Sequence, residues 1–305
     1  MLDKPLVIYH ADCADGFTSA WVMVRAMKRE GIEVELHRGI YGQPPPDTCG
    51  RNVWFLDFTY GRPVMEPMAG NANRIHILDH HETAWKEYGI FLDDVNPSVS
   101  TKFGANFFVE FHKNKSGAGI TWDYFNNTFR GNDGLAPDTE ASLLVSYVQD
   151  RDLWKFNLRD SRAINAWVFS YDYTMENWDR LAAALNSRAS YGNAVMQGEA
   201  IERKHFKDIH EFLASNTGFT HLDGVEVPCA NVPYIWASDA ANILAEGHPF
   251  AATYYDDSNG NLVYSLRSKE GGSNVGTIAK SYGGGGHAHA AGFRSIAGHK
   301  PTKKL

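Results

Sequence analysis

Acidic and histidine side chains stand directly after a run of apolar β-forming residues in the segment IHILDHHET, residues 75–83. A strand that only fills a hydrophobic core has no use for three titratable side chains in a row at its end. Two other apolar runs carry similar residues: LVIYH ends at His10, and VWFLDF contains Asp57. Because α/β sheets bind ligands beyond the carboxyl ends of their strands, the sequence predicts that three strands deliver metal-type ligands to one edge of one sheet.

The ligand types indicate which metal and which reaction to expect. Carboxylates combined with imidazoles, without paired cysteines, favour a harder ion such as Mn²⁺ over structural zinc. So many anionic groups would repel one another without cations among them, so we expect two ions, with Mg²⁺ or Co²⁺ as substitutes. Two-metal sites clamp the oxygens of a phosphoryl displacement, which predicts hydrolysis of a phosphate ester or anhydride by an activated water. The residues of this constellation are His10, Asp12, Cys13, Asp15, Asp57, Asp79, His80, His81, Asp150 and Asp152.

Each of these motifs alone has a simpler explanation. An Asp-rich turn before a helix often serves only as a cap, and an acid after a strand is often just solvated. Their combination in one chain is what supports a metal site.

Strands and helical segments alternate in the first half of the chain, which predicts a mostly parallel sheet flanked by helices. The segment TSAWVMVRAMKREG has the apolar spacing of a helix, with Thr18 as the predicted N-cap and Gly31 as the stop. Residues 160–216 are predicted to be helical, and later strands and helices predict a second, smaller α/β domain. The predicted limits are 1–185 for the first domain, 186–216 for a helical linker and 217–305 for the second domain. The final segment, GHKPTKKL, is predicted to fray.

Composition restricts the class of protein. The chain has 305 residues and a net charge of −7, which argues against a broad basic surface for long duplex nucleic acid. Its three cysteines are widely separated in sequence, which suits a reducing compartment better than a disulfide framework. Neither a signal peptide nor a membrane-spanning stretch is recognisable. These features predict a soluble cytoplasmic protein without membrane partners.

A glycine-rich segment near the C-terminus, YGGGGHAHAAGF, predicts an anion pocket. Glycines let backbone amides approach a phosphate or carboxylate closely, and a histidine at the end of the run can donate to the same anion. Arg267, on the alternating segment VYSLRS, can pair bidentately with a terminal phosphate. The candidate substrate-binding residues here are Arg267, Asn274, Gly284, Gly285, Gly286 and His287.

The motifs together resemble the DHH phosphoesterase superfamily. YHADCADGF, FLDF, ILDHHET and YVQDRDLW are similar to its first four motifs and follow the same order. GGGGHAHAAGF with the preceding YSLRS resembles the DHH-associated domain. The resemblance covers nearly the whole chain, and the layout resembles the nanoRNase branch, related to the RecJ exonucleases. It implies Mn²⁺ dependence and a catalytic cleft between two domains.

The resemblance also implies roles for individual metal ligands. Asp57 would bridge both ions and His10 would hold one. The other ion would be held by Asp15, His80 and Asp150, with Asp152 as an alternative to Asp150. Many relatives carry an aspartate where Cys13 stands, and Asp12 is the proposed substitute for it.

Three further roles follow from the resemblance. His81 would orient or neutralise the scissile phosphate, and Asp79 would fix an imidazole tautomer. KSGAGITW resembles a family segment in which Ser116 begins a helix that helps to hold phosphate, although a simple turn and cap explains it equally well.

The leading functional hypothesis is a phosphodiesterase, of exonuclease type, that hydrolyses short single-stranded oligonucleotides such as pApA to mononucleotides. The alternatives are a cyclic mononucleotide or dinucleotide phosphodiesterase, a pyrophosphate or polyphosphate hydrolase, and a nucleotide-binding sensor without catalysis. A small nucleotide substrate and a homodimer remain open. Base preference and polarity of attack do not follow from the sequence.

Overall fold

The computed structural model describes residues 4–128, 138–257 and 260–295. The chain divides into two compact units, Met1–Glu202 and Arg203–Leu305, called unit 1 and unit 2 below. The domain limits predicted from the sequence, at 185 and 217, stay predictions. The segment GHKPTKKL lies outside the described residues.

Unit 1 contains a six-stranded sheet. The strands are β1 (Leu6–His10), β2 (Glu35–Gly39), β3 (Asn52–Leu56), β4 (Arg74–Asp79), β5 (Ser98–Phe103) and β6 (Phe107–His112). They lie in the order β2-β1-β3-β4-β6-β5. Neighbouring strands are parallel from β2 to β6, and the edge strand β5 is antiparallel to β6.

Helices cover both faces of the central strands, as the near-continuous apolar sequences of those strands require. The helices are α1 (Ala14–Arg29), α2 (Arg62–Asn71), α3 (Glu82–Glu87), α4 (Gly117–Thr128), α5 (Thr139–Asp152), α6 (Ser161–Val168), α7 (Met175–Leu185) and α8 (Arg188–Asn216). Alternate residues of each strand point to opposite faces, so Ile8 joins one core and Val7 the other. The core on one face includes residues of α1, α4, α5, α6 and α7, and the other includes residues of α2 and α3.

The start of α1 differs from the sequence prediction. The helix begins at Ala14, with Cys13 at the N-cap position, so the cap lies five residues before the predicted cap Thr18. The Thr18 hydroxyl instead donates to the carbonyl of Ala14 and accepts a hydrogen bond from the indole of Trp178. A buried threonine whose hydroxyl is hydrogen-bonded inside a helix cannot be distinguished by sequence from an N-cap threonine. Gly31, with a φ of 70°, does follow the end of the helix.

Unit 2 contains a second six-stranded sheet. The strands are β7 (Thr217–Leu222), β8 (Val225–Asn231), β9 (Ala251–Asp256), β10 (Leu262–Arg267), β11 (Gly285–Gly286) and β12 (Ala290–Ser295). They lie in the order β11-β12-β10-β9-β8-β7. Only β8 and β9 are parallel, and the other neighbours are antiparallel. Two helices, α9 (Ala237–Leu244) and α10 (Val275–Ser281), pack in the same unit.

The architecture confirms the predicted fold class: an N-terminal, mostly parallel sheet with helices, a long helix, and a smaller C-terminal α/β unit. The long helix is α8, whose residues fall partly in unit 1 and partly in unit 2. Among the helices of the described ranges, none combines the length and the apolar character that a bilayer crossing requires.

Candidate metal centre

Three adjacent strands end in the residues that the sequence singled out. β1 ends at His10, Asp57 follows β3, and β4 ends at Asp79 with His80 directly after it. Because β1, β3 and β4 are neighbours and parallel, these residues lie at one edge of the sheet. Two helices add carboxylates to this edge: Asp15 lies in the first turn of α1, and Asp152 ends α5.

The carboxylate of Asp57 lies between two imidazoles. Its Oδ2 is 3.5 Å from Nδ1 of His10, and its Oδ1 is 3.2 Å from Nε2 of His80. Two groups of three ligand atoms form around it, each with all of its atoms within 4.8 Å of one another. One group is His10, Asp57 and His81, and the other is Asp15, Asp57 and His80. Asp152 lies beside the second group, with Oδ2 3.5 Å from Nε2 of His80. Asp57 is therefore the residue that the two groups share.

The electrostatics of this edge reflect crowded carboxylates. Burial, with the carboxylates of Asp57 and Asp152, raises the pKa of Asp15 well above its usual value. Burial would lower the pKa of His80, but Asp152 and Asp57 outweigh this effect and raise it to about 10. Burial would raise the pKa of Asp57, but its contacts with His10 and His80 hold it well below its usual range. In the absence of cations, protons on neighbouring groups offset the negative charge.

These residues fit divalent cations. At this edge, three buried atoms make no hydrogen bond of good geometry with the described residues, although Asp57 lies close to both imidazoles: Nδ1 of His10, Oδ2 of Asp15 and Oδ1 of Asp57. Buried polar atoms are almost always satisfied in folded proteins, so three orphans on one sheet edge indicate that something else binds there. Carboxylate oxygens with imidazole nitrogens suit Mn²⁺ or Mg²⁺ more than a thiolate-selecting ion. Asp57 would be shared by two ions, His10 would hold one, and Asp15, His80 and Asp152 would hold the other.

Asp79 is occupied by hydrogen bonds and belongs to neither three-ligand group around Asp57. Its Oδ1 accepts from the backbone amides of His80 and His81 and lies 2.7 Å from Nδ1 of His81, while its Oδ2 accepts from the Thr59 hydroxyl. Burial would lower the pKa of His81, but Asp79 outweighs this effect and raises it. The carboxylate therefore fixes the ring orientation of His81 and leaves Nε2 as the nitrogen that can meet a ligand.

The first turn of α4 holds Asp15 in place. The amide of Ala118 donates to Oδ1 of Asp15 over 3.2 Å, and the Ser116 hydroxyl lowers the pKa of the same carboxyl. A Cβ on Gly117 would lie 2.4 Å from Cβ of Asp57, so only glycine allows the helix to approach this closely. Ser116 lies directly before α4, and its hydroxyl accepts from the amide of Gly119 and contacts Asp15; its proposed contact with phosphate stays a prediction. No local sequence pattern pointed to these contacts.

Two predicted metal ligands lie elsewhere. Asp150 is buried, but its two oxygens accept from the backbone amides of Asn157 and Leu158, so it organises the chain after α5. Asp152 is the acid of this pair that faces His80. Asp12 has an exposed side chain, 55% accessible, that pairs with Arg38 at the surface. Acids two or three residues apart at the end of a helix point in different directions. Their spacing in the sequence therefore did not predict which of them lies at the site.

The predicted anion-binding residues of unit 2 make hydrogen bonds and packing contacts within that unit. The guanidinium of Arg267 donates to the hydroxyl of Ser238 over 2.9 Å. Asn274 caps α10, because its side chain accepts from the amide of Thr277. A Cβ on Gly284 would lie 2.1 Å from the carbonyl oxygen of Gly292, so packing against β12 already requires that glycine. Gly285 and Gly286 form β11, and the amide of His287 donates to the carbonyl of Ala290.

Sequence reasoning missed Tyr41, which lies between β2 and β3. Its ring centroid is 5.5 Å from that of His10 and 4.6 Å from that of Phe58. The only signal was an aromatic residue in the turn-forming segment GIYGQPP, which by itself points to no site.

Comparisons with known proteins give the following matches. No protein-family model matches the chain. An uncharacterised protein, R106, of Acanthamoeba polyphaga mimivirus is 25% identical over 325 residues, covering 98% of this chain and 70% of that protein. RecJ from Thermus thermophilus in complex with Mn²⁺ matches 95% of this chain with a TM-score of 0.54 and 15% identity. An exonuclease RecJ bound to manganese matches 95% of this chain and 85% of its own length, with a TM-score of 0.51 and 16% identity.

The fold is therefore that of the RecJ structures. The chain spans about half of the Thermus thermophilus RecJ, 49% of its length. This is the fold that the resemblance of the sequence motifs implied.

Proposed function

We propose that the chain is a metal-dependent phosphodiesterase that hydrolyses short oligonucleotides to mononucleotides. The observation that carries this proposal is the pair of three-ligand groups that share Asp57. Two cations that share a carboxylate are suited to in-line displacement at phosphorus. The RecJ fold supports the same class of reaction, because one of the RecJ structures it matches is described as an exonuclease bound to manganese.

In the proposed mechanism, Asp57 would be a ligand of both ions, together with His10 for one of them and His80 for the other. Asp15 is fixed by the first turn of α4, so its carboxylate keeps its direction as charge changes at the site. When bound, the ions would supply an activated water and neutralise charge on the phosphoryl oxygens. These side chains hold the ligand geometry and take up no proton from the substrate.

His81 is proposed to bind the scissile phosphate. Its Nδ1 is engaged by Asp79, so Nε2 is the atom that can donate to a phosphoryl oxygen. A donor fixed before the substrate arrives stabilises the transition state without reorganising. Removing Asp79 would free the ring to rotate and should lower the turnover rate more than the affinity for the substrate.

In unit 2, Arg267 is proposed to hold an anionic end of the substrate. Ser238 already orients its guanidinium, and a planar guanidinium matches the geometry of a terminal phosphate. His287 and the amides of Gly285 and Gly286 are proposed to assist. The net charge of −7 favours a short substrate, because a long strand would repel the surface along its length.

The proposal is tested with a substrate panel at neutral pH in the presence of Mn²⁺. The panel contains pApA, a cyclic dinucleotide, cyclic AMP and pyrophosphate. We expect release of AMP from pApA, loss of that release on adding EDTA, and at least a roughly 100-fold loss in Asp57→Asn. Arg267→Ala should raise KM for pApA and leave Mn²⁺ binding unchanged.

The other outcomes are equally informative. Turnover of pyrophosphate alone would replace the proposal by an anhydride hydrolase. Turnover of a cyclic substrate alone would replace it by a cyclic nucleotide phosphodiesterase. Mn²⁺ binding without turnover of any substrate would favour a nucleotide sensor.

A further inference from the structure

The ring of Tyr41 contacts the candidate metal ligand His10 and is only partly buried. It contacts the His10 imidazole edge to face, with an interplanar angle of 71°, and it leans on the Phe58 ring at 40°. Phe58, the residue after Asp57, is fully buried, whereas 43% of Tyr41 remains accessible. The buried ring of Phe58 therefore packs against the ring of Tyr41 and fixes its position.

The contrast with neighbouring aromatic rings shows that this exposure is particular to Tyr41. Phe58 contacts Tyr60 as well, at 4.8 Å between centroids, and only 6% of Tyr60 is accessible. A ring that served only the core would be buried in the same way. Tyr41 instead presents a flat apolar surface directly beside a candidate metal ligand.

We propose that the ring of Tyr41 is the stacking platform for the nucleobase of the nucleoside esterified at the scissile phosphate. The inference rests on the proposed phosphodiesterase function and adds a residue that determines its substrate class. A phosphate held at the ligand groups around Asp57 would bring its attached nucleoside beside His10, and Tyr41 is the aromatic ring in contact with His10 on the exposed side. Every base has a π-face, so a stacking contact selects nucleotides over base-free phosphate compounds without choosing among bases.

The test compares the full-length wild type with Tyr41→Ala and Tyr41→Phe, and with Phe103→Ala as a matched control. Phe103 is an aromatic residue of similar exposure, 38%, at the end of β5, where its partner Phe107 begins β6 at the opposite edge of the sheet. The substrates are pApA and two analogues in which one or the other adenine is replaced by hydrogen. Mn²⁺ affinity is measured for each variant by calorimetry.

We expect Tyr41→Ala to raise KM for pApA by roughly tenfold or more, with kcat within about threefold of the wild type. Tyr41→Phe and Phe103→Ala should behave as the wild type. One of the two abasic analogues should show the raised KM already with the wild type, and Tyr41→Ala should not raise it further. Mn²⁺ affinity should be the same in all variants.

Four results would overturn the inference. If the wild type does not hydrolyse pApA, the proposed function and the stacking role of Tyr41 both fail. If it does, an unchanged KM in Tyr41→Ala removes the platform alone. Equal losses in Tyr41→Phe and Tyr41→Ala would assign the effect to the hydroxyl. A weaker Mn²⁺ affinity in Tyr41→Ala would make Tyr41 a positioning residue for His10.

Discussion

Asp57 follows a strand of apolar residues, and its carboxylate lies within 3.5 Å of the imidazoles of both His10 and His80. Its backbone has a φ of 54°, a conformation that is uncommon outside glycine. Such strain persists where the surroundings over-determine it, and it is often found at functional sites. At the scale of single residues, the sequence leaves open which acids would bind metal ions and which only stabilise the fold.

Substitutions of Asp150 and Asp152 should affect different properties, stability for Asp150 and Mn²⁺ binding for Asp152. We expect Asp152→Asn to weaken Mn²⁺ binding by roughly tenfold or more while the free energy of unfolding of the metal-free protein stays near the wild-type value. Asp150→Asn should do the reverse, because the two carboxylate oxygens accept from the amides of Asn157 and Leu158, and asparagine replaces one of these acceptors by a donor. Calorimetric Mn²⁺ titration and urea unfolding of both variants check this. The reverse pattern would return the metal role to Asp150.

Cys13 should contribute little to Mn²⁺-supported activity. Both three-ligand groups around Asp57 form without it, although the resemblance of the motifs implied an aspartate at its position. We expect Cys13→Ser to keep activity within about threefold of the wild type, because hard oxygen and nitrogen ligands suffice for Mn²⁺. A steady-state assay with Mn²⁺ checks this. A collapse to the level of Asp57→Ala would make the thiol a ligand.

His76 should make the stability of the metal-free protein depend on pH. Its ring is stacked between Trp54 and Phe108, and burial, with the charge of Arg74, lowers its pKa from 6.5 to about 4. As the pH falls below about 6.5, the unfolded chain binds a proton that the folded chain does not, so the free energy of unfolding decreases until about pH 4. At about 1.4 kcal/mol per pKa unit, the loss is at most about 3 kcal/mol.

The matching variant is His76→Phe, which keeps an aromatic ring between Trp54 and Phe108. We expect its unfolding free energy to decrease less than that of the wild type between pH 7 and pH 4, as measured by urea unfolding in EDTA. Parallel curves for the two proteins would show that the imidazole does not titrate in this range.

At the scale of elements, the site depends on how closely α4 approaches β3. A Cβ on Gly117 would lie 2.4 Å from Cβ of Asp57, which is far inside van der Waals contact. We expect Gly117→Ala to displace the first turn of α4 and to weaken Mn²⁺ binding by roughly tenfold or more, because Ala118 and Asp57 both shift.

Gly70 provides the control for this substitution. It lies in α2, and a Cβ added there would have no atom within 4 Å, so Gly70→Ala should leave Mn²⁺ binding unchanged. It should also raise the unfolding free energy by roughly 0.5 kcal/mol, as alanine does in helices. Mn²⁺ titration of both variants is the measurement. Equal affinities in Gly117→Ala and the wild type would show that the helix can adjust without moving the ligands.

At the scale of the whole molecule, the candidate metal ligands around Asp57 belong to one unit. His10, Asp15, Asp57, His80 and Asp152 all lie within Met1–Glu202. A ligand that binds only the folded state stabilises it by about 2.7 kcal/mol at a concentration of 100 times Kd. We therefore expect scanning calorimetry to show that Mn²⁺ raises the melting temperature of unit 1, and that EDTA reverses the shift. A transition of unit 2 that moves by the same amount would contradict this assignment.

The sequence predicted the parts of the molecule that depend on local order along the chain. Apolar β-forming runs specified β1, β3 and β4, and the polar residues after each run specified the edge at which they meet, because parallel strands align their carboxyl ends. The same reasoning predicted the second α/β unit. It erred at the start of α1, where Thr18 satisfies a backbone carbonyl inside the helix.

Only the tertiary structure decided which of the acids lie at the candidate metal centre. Asp150 and Asp152 are equivalent by spacing, and packing turned one toward backbone amides and the other toward His80. It also placed Gly117 against Asp57 and Tyr41 against His10, contacts between segments distant in sequence. Residue types determine what chemistry a chain can perform. The direction of each side chain depends on neighbours brought together by folding, and no local pattern specifies those neighbours.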